Sequence, residues 1–308
     1  MRAALKYVLI RCDGSSEIGF GHVVRCLALA DELRDTYCCQ VDFAMLQGPQ
    51  GFEQVRAQGY QVHHPSASIK DLVENEWLLR VVAETKIQAL VLDVRTDLAT
   101  STVQSIRESG VLIVTIDDPS ERRLCADLAF YPPVPQVERL EWKGFTGKRY
   151  IGWDSVLLRP QFANSATRAR ARGALSMACS HSIDCQMTLL VTMGGSDPAM
   201  MTLIALKAID RIENNFRVLV VLGRGFSHNE LLFDWLQCSS KDYEIYRDVS
   251  DMSGLMDKTN LAVCSFGVTA YELAAMYVPA IYLCLTEDHV HSAEAFASAG
   301  LGLSLGLG

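Results

Sequence analysis

Two groups of residues in this sequence have the types and spacing for chemistry. The first is Ile18-Gly19-Phe20-Gly21-His22, followed by Val23-Val24-Arg25-Cys26. It lies between the apolar run Tyr7–Ile10 and a run with helical apolar spacing, so it reads as strand, glycine loop and helix start. A histidine in the first turn of a helix has its protonated form disfavoured by the helix dipole. It is then neutral near pH 7 and able to accept a proton. The bland alternative is a histidine that simply packs on the loop. Asp13 is placed to cap that loop or to orient the histidine. The second group is Gly194-Gly195-Ser196, with Ser265-Phe266-Gly267-Val268-Thr269 further on, each between an apolar run and a helical one. Glycines let the backbone approach a diphosphate, and a helix N-terminus offers free N–H groups. Such loops also simply make tight turns; two in one half favour phosphate binding. Glu272, one turn into the following helix, is either a solvated glutamate or a carboxylate for ribose hydroxyls.

These groups need a frame, and the pattern supplies one. Short apolar runs alternate with helical stretches along the chain: Tyr7–Ile10, Val41–Leu46, Tyr60–His64, Ala89–Asp93 and Val111–Ile116, then Met187–Thr192, Phe216–Leu222, Tyr243–Tyr246, Leu261–Cys264 and Ala280–Leu285. That alternation predicts βαβ units and parallel sheets covered on both faces. Several runs end in polar residues: Arg11 and Asp13, Asp93, Asp117 and Asp118. Ligands of open α/β sheets bind at the carboxyl ends of strands. Asp93 and Asp117 read as strand-end caps, or one of them serves a sugar. Pro132-Pro133-Val134-Pro135 marks a break, and the Arg-rich stretch 164–185 reads as a solvated interdomain helix or linker. The expected organisation is an N-terminal Rossmann-like domain over 1–150, an interdomain segment over 151–186 and a C-terminal Rossmann-like domain over 187–308. The last stretch, 300–308, reads as a Gly/Leu-rich tail.

Composition bounds the function. The chain has 308 residues, 49% hydrophobic and 21% charged, with a net charge of −8. That is a globular composition, and the acidic balance argues against nucleic acid as a partner. The ten cysteines include no Cys-x-x-Cys pair, so zinc spacing is absent. The N-terminus lacks the form of a signal peptide, and no apolar stretch is long enough to span a bilayer. The expectation is a cytoplasmic protein without stable membrane insertion and with reduced cysteines that pack as small hydrophobes.

Arg11-x-Asp13-Gly14-x-x-x-Ile18-Gly19-x-Gly21-His22-x-x-Arg25-Cys26-Leu27-x-Leu29-Ala30 closely resembles the opening motif of the UDP-sugar hydrolases of pseudaminic acid biosynthesis and of the related spore-coat-polysaccharide glycosyltransferase-like proteins. Gly152-x-x-x-x-Leu157-Leu158-Arg159-x-x-Phe162, Met193-Gly194-Gly195-Ser196-Asp197 and Gly267-Val268-Thr269-Ala270-x-Glu272 look like further motifs of that group, in order. The resemblance implies an α/β glycosyltransferase-B type fold, two Rossmann-like domains facing across a cleft, with UDP on the C-terminal half and the sugar on the N-terminal half. It implies hydrolysis of a UDP-linked amino-deoxy sugar with inversion, His22 as general base and Asp13 beside it. Substrate binding would fall to Arg11, Gly19, Gly21, Arg25, Asp93 and Arg95, and to Gly194, Gly195, Ser196, Gly267, Val268, Thr269 and Glu272. No metal or other cofactor is implied. The partner is the UDP-sugar. An inverting glycosyltransferase and a non-catalytic nucleotide-sugar-binding domain are the alternatives. Two departures stand out. Arg95 occupies the place of a tyrosine in the hydrolases' Asp-His-Tyr run, and a cationic group there would suit an acidic sugar or acceptor. The closing helix usual in the fold does not follow the Gly/Leu run; the chain is either truncated or one in which that helix is dispensable.

Overall fold

The structure is a computed structural model and describes residues 6–15, 18–65, 74–162, 186–214, 216–239, 241 and 243–307. The Arg-rich stretch 164–185, with Arg168, Arg170, Arg172 and His181, lies outside the described residues. The chain divides into two compact units, Met1–Leu157 and Leu158–Gly308. Residues 151–157 of the expected interdomain segment thus belong with the first unit and 158–162 with the second.

The first unit holds seven parallel strands: β1 (Tyr7–Cys12), β2 (Gln40–Ala44), β3 (Gln61–His63), β4 (Ala89–Asp93), β5 (Leu112–Ile116), β6 (Leu128–Tyr131) and β7 (Lys148–Ile151). Their order across the sheet is β3-β2-β1-β4-β5-β6-β7. Helices α1 (Gly21–Asp35), α2 (Pro49–Ala57), α3 (Glu74–Thr85) and α4 (Thr100–Glu108) connect them. The central strands are apolar throughout because both faces are covered: all five residues of Ala-Leu-Val-Leu-Asp in β4 are buried. One face packs Leu9, Leu90 and Leu92 with Trp77, Leu78 and Val81 of α3. The other packs Val8, Ile10 and Val91 with Val23, Cys26, Leu27 and Ala30 of α1. β7 was not evident from the sequence. It is an edge strand, exposed along its length, and Lys148-Arg149-Tyr150-Ile151 has no two-sided apolar run to signal it.

The second unit has β8 (Thr188–Thr192), β9 (Arg217–Leu222), β10 (Tyr243–Arg247), β11 (Leu261–Ser265), β12 (Ala280–Cys284) and β13 (Gly302–Leu307), in the order β10-β9-β8-β11-β12-β13, all parallel. Its described helices are α5 (Met201–Asp210), α6 (Asn229–Leu236), α7 (Met252–Met256), α8 (Val268–Ala275) and α9 (Glu287–Ser298). The expected tail is therefore a strand. Gly-Leu-Ser-Leu-Gly-Leu alternates small and large residues with period two, and a Cβ on Gly302 would fall 2.0 Å from the carbonyl oxygen of Ala280. Only glycine lets the chain pair that closely with β12.

In both sheets the strand order reverses between two central neighbours, β1 and β4 in the first and β8 and β11 in the second. These are switch points, where loops leave in opposite directions and open a crevice at the carboxyl ends. Cys12 ends β1 directly opposite Asp93, which ends β4. The residues with chemistry stand at these two places.

Candidate functional site

The loop between β1 and α1 is shaped by glycines. Gly19 has φ +80, a left-handed conformation that disfavours side chains. A Cβ on Gly48, before α2, would lie 1.9 Å from the carbonyl oxygen of Gly14, so the β1–α1 and β2–α2 loops meet backbone to backbone. Gly21 is the first residue of α1, and His22 follows in its first turn, with no side-chain oxygen capping that end. α1 rises from the end of β1 beside β4.

There His22 Nδ1 lies 2.7 Å from Asp93 Oδ1. Arg25, one turn later, reaches the same carboxylate twice: Nε to Oδ2 at 2.6 Å and Nη2 to Oδ1 at 2.5 Å. The Cys26 thiol donates to Oδ2 at 3.3 Å. The Asp93 side chain is 1% exposed and that of His22 21%. Burial alone would push the Asp93 carboxyl up. The Arg25 guanidinium and the His22 ring outweigh it and hold the group well below the usual carboxylate range. An ionised carboxylate only accepts, so the proton between the two groups belongs to His22 Nδ1, assigned here from donors and acceptors. Nε2 is then the basic nitrogen. A second ion pair adjoins: Arg95 donates to the carbonyl of Asp117 and, at 2.8 Å, to its Oδ2, which is 3.7 Å from Arg25 Nη1. Asp117 has φ +52, a strained conformation for a non-glycine residue.

Two expected site residues stand elsewhere. Arg11 is fully buried. It donates to Glu74 Oε1 with Nε and Nη2 at 3.0 and 2.8 Å, pairs with Asp13 at 2.7 Å and lies over the Trp77 ring. Asp13 accepts the amides of Leu46 and Gln47 at 2.7 and 3.2 Å. Arg11 and Asp13 tie the ends of β1 and β2 to α3, and the carboxylate on His22 is Asp93. The orienting role expected of Asp13 is corrected accordingly. Arg11 has no exposed surface to offer a substrate. Arg95, the cationic group expected to suit an acidic sugar or acceptor, is paired with Asp117.

In the second unit the two glycine loops differ. Asp197 accepts the amides of Met201 and Thr202 at 2.8 and 2.9 Å, so the start of α5 already holds a carboxylate. Gly194 has φ +78, and a Cβ on Gly223 would fall 2.4–2.5 Å from the carbonyl oxygens of Gly195 and Gly194. Gly225 donates to the carbonyl of Gly195 at 2.8 Å. The Gly194-Gly195-Ser196 loop is thus sewn to the turn after β9. The helices after β8 and β12 have side-chain oxygens on their first amides, Asp197 and Thr286. α8, after β11, begins at Gly267 with no side-chain cap, leaving the Val268 and Thr269 end of the helix open. Glu272 is buried; its Oε1 accepts from Arg159 Nη2 at 2.9 Å and Nε at 3.3 Å. Burial pushes its carboxyl up and Arg159 opposes that shift. Arg159 lies in the Gly152–Phe162 motif but not among the expected site residues; it is the partner that makes Glu272 tolerable in the core. His289 and His291 start α9, and Phe266 lies beside His289.

Among the described residues no cluster of three or more histidines, cysteines or acids could hold a metal ion. No described helix is long and apolar enough to cross a membrane.

Two parallel α/β sheets, each reversing its strand order between two central neighbours, form a class of fold that known structures share. The chain matches MurG of Acinetobacter baumannii with a TM-score of 0.68 and 14% identity, over 98% of this chain and 86% of that one. It matches HepE of Anabaena in complex with UDP with a TM-score of 0.60 and 11% identity, over 99% and 86%. The fold is of the glycosyltransferase-B type. In sequence, the chain is 26% identical over 305 residues to the spore coat polysaccharide biosynthesis protein SpsG of Bacillus subtilis, covering 98% of this chain and 84% of that protein. No protein-family model matches.

Proposed function

We propose that this protein acts on a UDP-linked sugar in surface-glycan biosynthesis, and that it hydrolyses it. The observation that carries this reading is the His22–Asp93 pair at the β1/β4 switch point, in which Nδ1 is the ring nitrogen engaged by the carboxylate. The likeness to SpsG and to a fold-mate solved with UDP supports a nucleotide-sugar substrate. The resemblance of the opening motif to the hydrolases of pseudaminic acid biosynthesis supports a UDP-linked amino-deoxy sugar and water as the acceptor.

The reaction is a single displacement. A water molecule gives a proton to His22 Nε2 as its oxygen bonds to the anomeric carbon. The bond from that carbon to the diphosphate oxygen breaks, and UDP leaves with the electron pair. The carbon is attacked from the side opposite the leaving group, so its configuration inverts. Asp93 stabilises the imidazolium that forms. The second unit takes the nucleotide. Val268 and Thr269 at the open start of α8 receive the diphosphate, where backbone N–H groups and the dipole favour the growing charge. Gly194, Gly195 and Ser196 shape the neighbouring loop. Glu272 Oε2, the oxygen not used by Arg159, is the group assigned to the ribose hydroxyls. Gly19 and Gly21 keep the first loop low enough for the sugar.

The test is UDP release from a panel of UDP-sugars without added acceptor, on wild type and His22→Asn. Release by the wild type and its loss in the variant support hydrolysis. Release only when a sugar or lipid acceptor is present makes the protein a transferase. UDP-sugar binding without release under either condition makes it a binding protein.

A further inference from the structure

The resemblance would place Arg25 among the substrate ligands. Its geometry points elsewhere. Arg25 stands three residues after His22 on α1, so both side chains leave the helix on one face. Its two arms occupy both oxygens of Asp93, at 2.6 and 2.5 Å. His22 Nδ1 adds a third contact and the Cys26 thiol a fourth. A carboxylate has about four lone-pair sites, so Asp93 is saturated by these donors. It is also buried at a strand end, with no solvent to turn toward. Arg25 Nη2 lies 3.2 Å from His22 Nδ1, but both atoms carry protons, so the two donors converge on Asp93 and do not bond each other.

We propose that Arg25 is a positioning residue: its two-armed grip on Asp93 fixes the Nδ1–H tautomer of His22 and leaves Nε2 free as the base. The inference rests on the reading of His22 as that base. The bidentate geometry matters, because a lysine ammonium is a point donor that cannot span both carboxylate oxygens. Without the second arm the carboxylate is free to rotate about its Cβ–Cγ bond, and the imidazole loses the acceptor that selects its tautomer. Among the described residues, the charged and titratable groups near the imidazole and its partners come from three strands or strand ends and one helix. Asp93 comes from β4, Arg25 and Cys26 from α1, and Cys12 from β1. Asp117 follows β5, near Arg25, and is itself paired with Arg95. The Cys26 thiol is held protonated by burial, with Cys12 and Asp93 adding to that effect, and so serves Asp93 as a donor.

The experiment uses Arg25→Lys, the Asp93→Asn/Arg25→Gln pair and His22→Asn in the full chain. Two quantities are read: kcat and KM for UDP release, and the 15N shifts of the His22 ring in the free protein. For Arg25→Lys the expected result is a kcat lower by about 10- to 100-fold, by analogy with the partners that orient metal-ligating histidines. KM stays within about twofold, since uniform binding is untouched. The ring shifts show a growing share of the Nε2–H tautomer. A KM raised tenfold or more with kcat unchanged would make Arg25 a substrate ligand and overturn the proposal. A folded Arg25→Lys protein with unchanged kinetics and unchanged tautomer would also overturn it, leaving a purely structural ion pair. The double variant carries no buried charge and guards against misfolding; its tautomer is expected to be mixed, and an undisturbed Nδ1–H tautomer there counts against the proposal. Full turnover by His22→Asn would instead remove the base reading, while the ring shifts still decide what Arg25 does to the histidine.

Discussion

The crevices of the two sheets are made of different chemistry. In the first unit the switch point is lined by polar side chains, the His22 imidazole with the charged Arg25 and Asp93, and the Arg95–Asp117 pair stands beside them. In the second it is lined by backbone, with glycine loops sewn together and one helix start left open. The physical reason lies in the demands of each role. A base needs a particular proton on a particular atom, which takes fixed charges around it. A diphosphate needs many weak donors in a concave array, which backbone amides supply without a buried cation. The comparison also separates two loops that look alike in sequence. Gly194-Gly195-Ser196 leads to a helix whose first amides are already used by Asp197, whereas Gly267 leads to one whose start has no side-chain cap.

That division can be broken or sharpened by substitution. The largest effect is expected for His22→Asn: turnover falls by about 10²- to 10⁴-fold, the usual weight of a general base, while UDP affinity measured by calorimetry stays the same. A fall in UDP affinity would mean that the first crevice also holds the nucleotide. Next, Asp93→Ala removes the buried carboxylate and leaves the half-buried Arg25 without its partner; it is expected to cost about 3 kcal/mol in denaturant unfolding, the lower end for a broken buried pair. The sign of the pH dependence follows from the same residue. Its carboxyl titrates lower in the folded protein than in the unfolded chain. The stability it contributes is present above the ordinary carboxylate pKa, about 4, and is lost as pH falls below that value. Wild type is therefore expected to lose stability in acid more steeply than Asp93→Asn. In the second unit, Gly223→Ala drives a Cβ into two backbone carbonyls. It is expected to cost about 1–3 kcal/mol and to weaken UDP binding, because the loop beside α8 must shift. Asp197→Ala removes a cap; about 1 kcal/mol of stability is expected to go, with UDP affinity nearly unchanged. If UDP affinity instead rises or falls strongly, α5 and not α8 holds the diphosphate. The smallest effect is expected for Arg95→Ala, an exposed pair with Asp117, at under about 1 kcal/mol in thermal unfolding.

Much of this frame was legible along the chain. Apolar runs buried on both faces announce parallel strands, and the glycines before His22 and before Val268 announce strand-to-helix turns. What escaped was one edge strand of each sheet. The edges β3 and β10 keep a recognisable strand pattern, but Lys148-Arg149-Tyr150-Ile151 of β7 is exposed throughout, and β13's glycines read as a tail until Gly302 is seen pressed on Ala280. The candidate site was legible as a set of residues but not as a set of partners. Arg11 and Asp13 sit in the same motif as His22, and nothing local says that they turn inward to Glu74 and the β2 loop. Glu272 was visible, but its counter-charge Arg159 lies 113 residues earlier.

The sequence by itself determined that strands and helices alternate, that polar residues gather where strands end, and that a histidine opens a helix behind two glycines. Those are local matters of backbone freedom, periodicity and burial. Tertiary structure decided which carboxylate meets the histidine. Asp93 lies 71 residues from His22 in the chain and reaches it only because β4 pairs with β1, placing Asp93 beside Cys12 at the point where the strand order turns. Strand order is set by how whole βαβ units pack against one another, and no stretch of neighbouring residues encodes it.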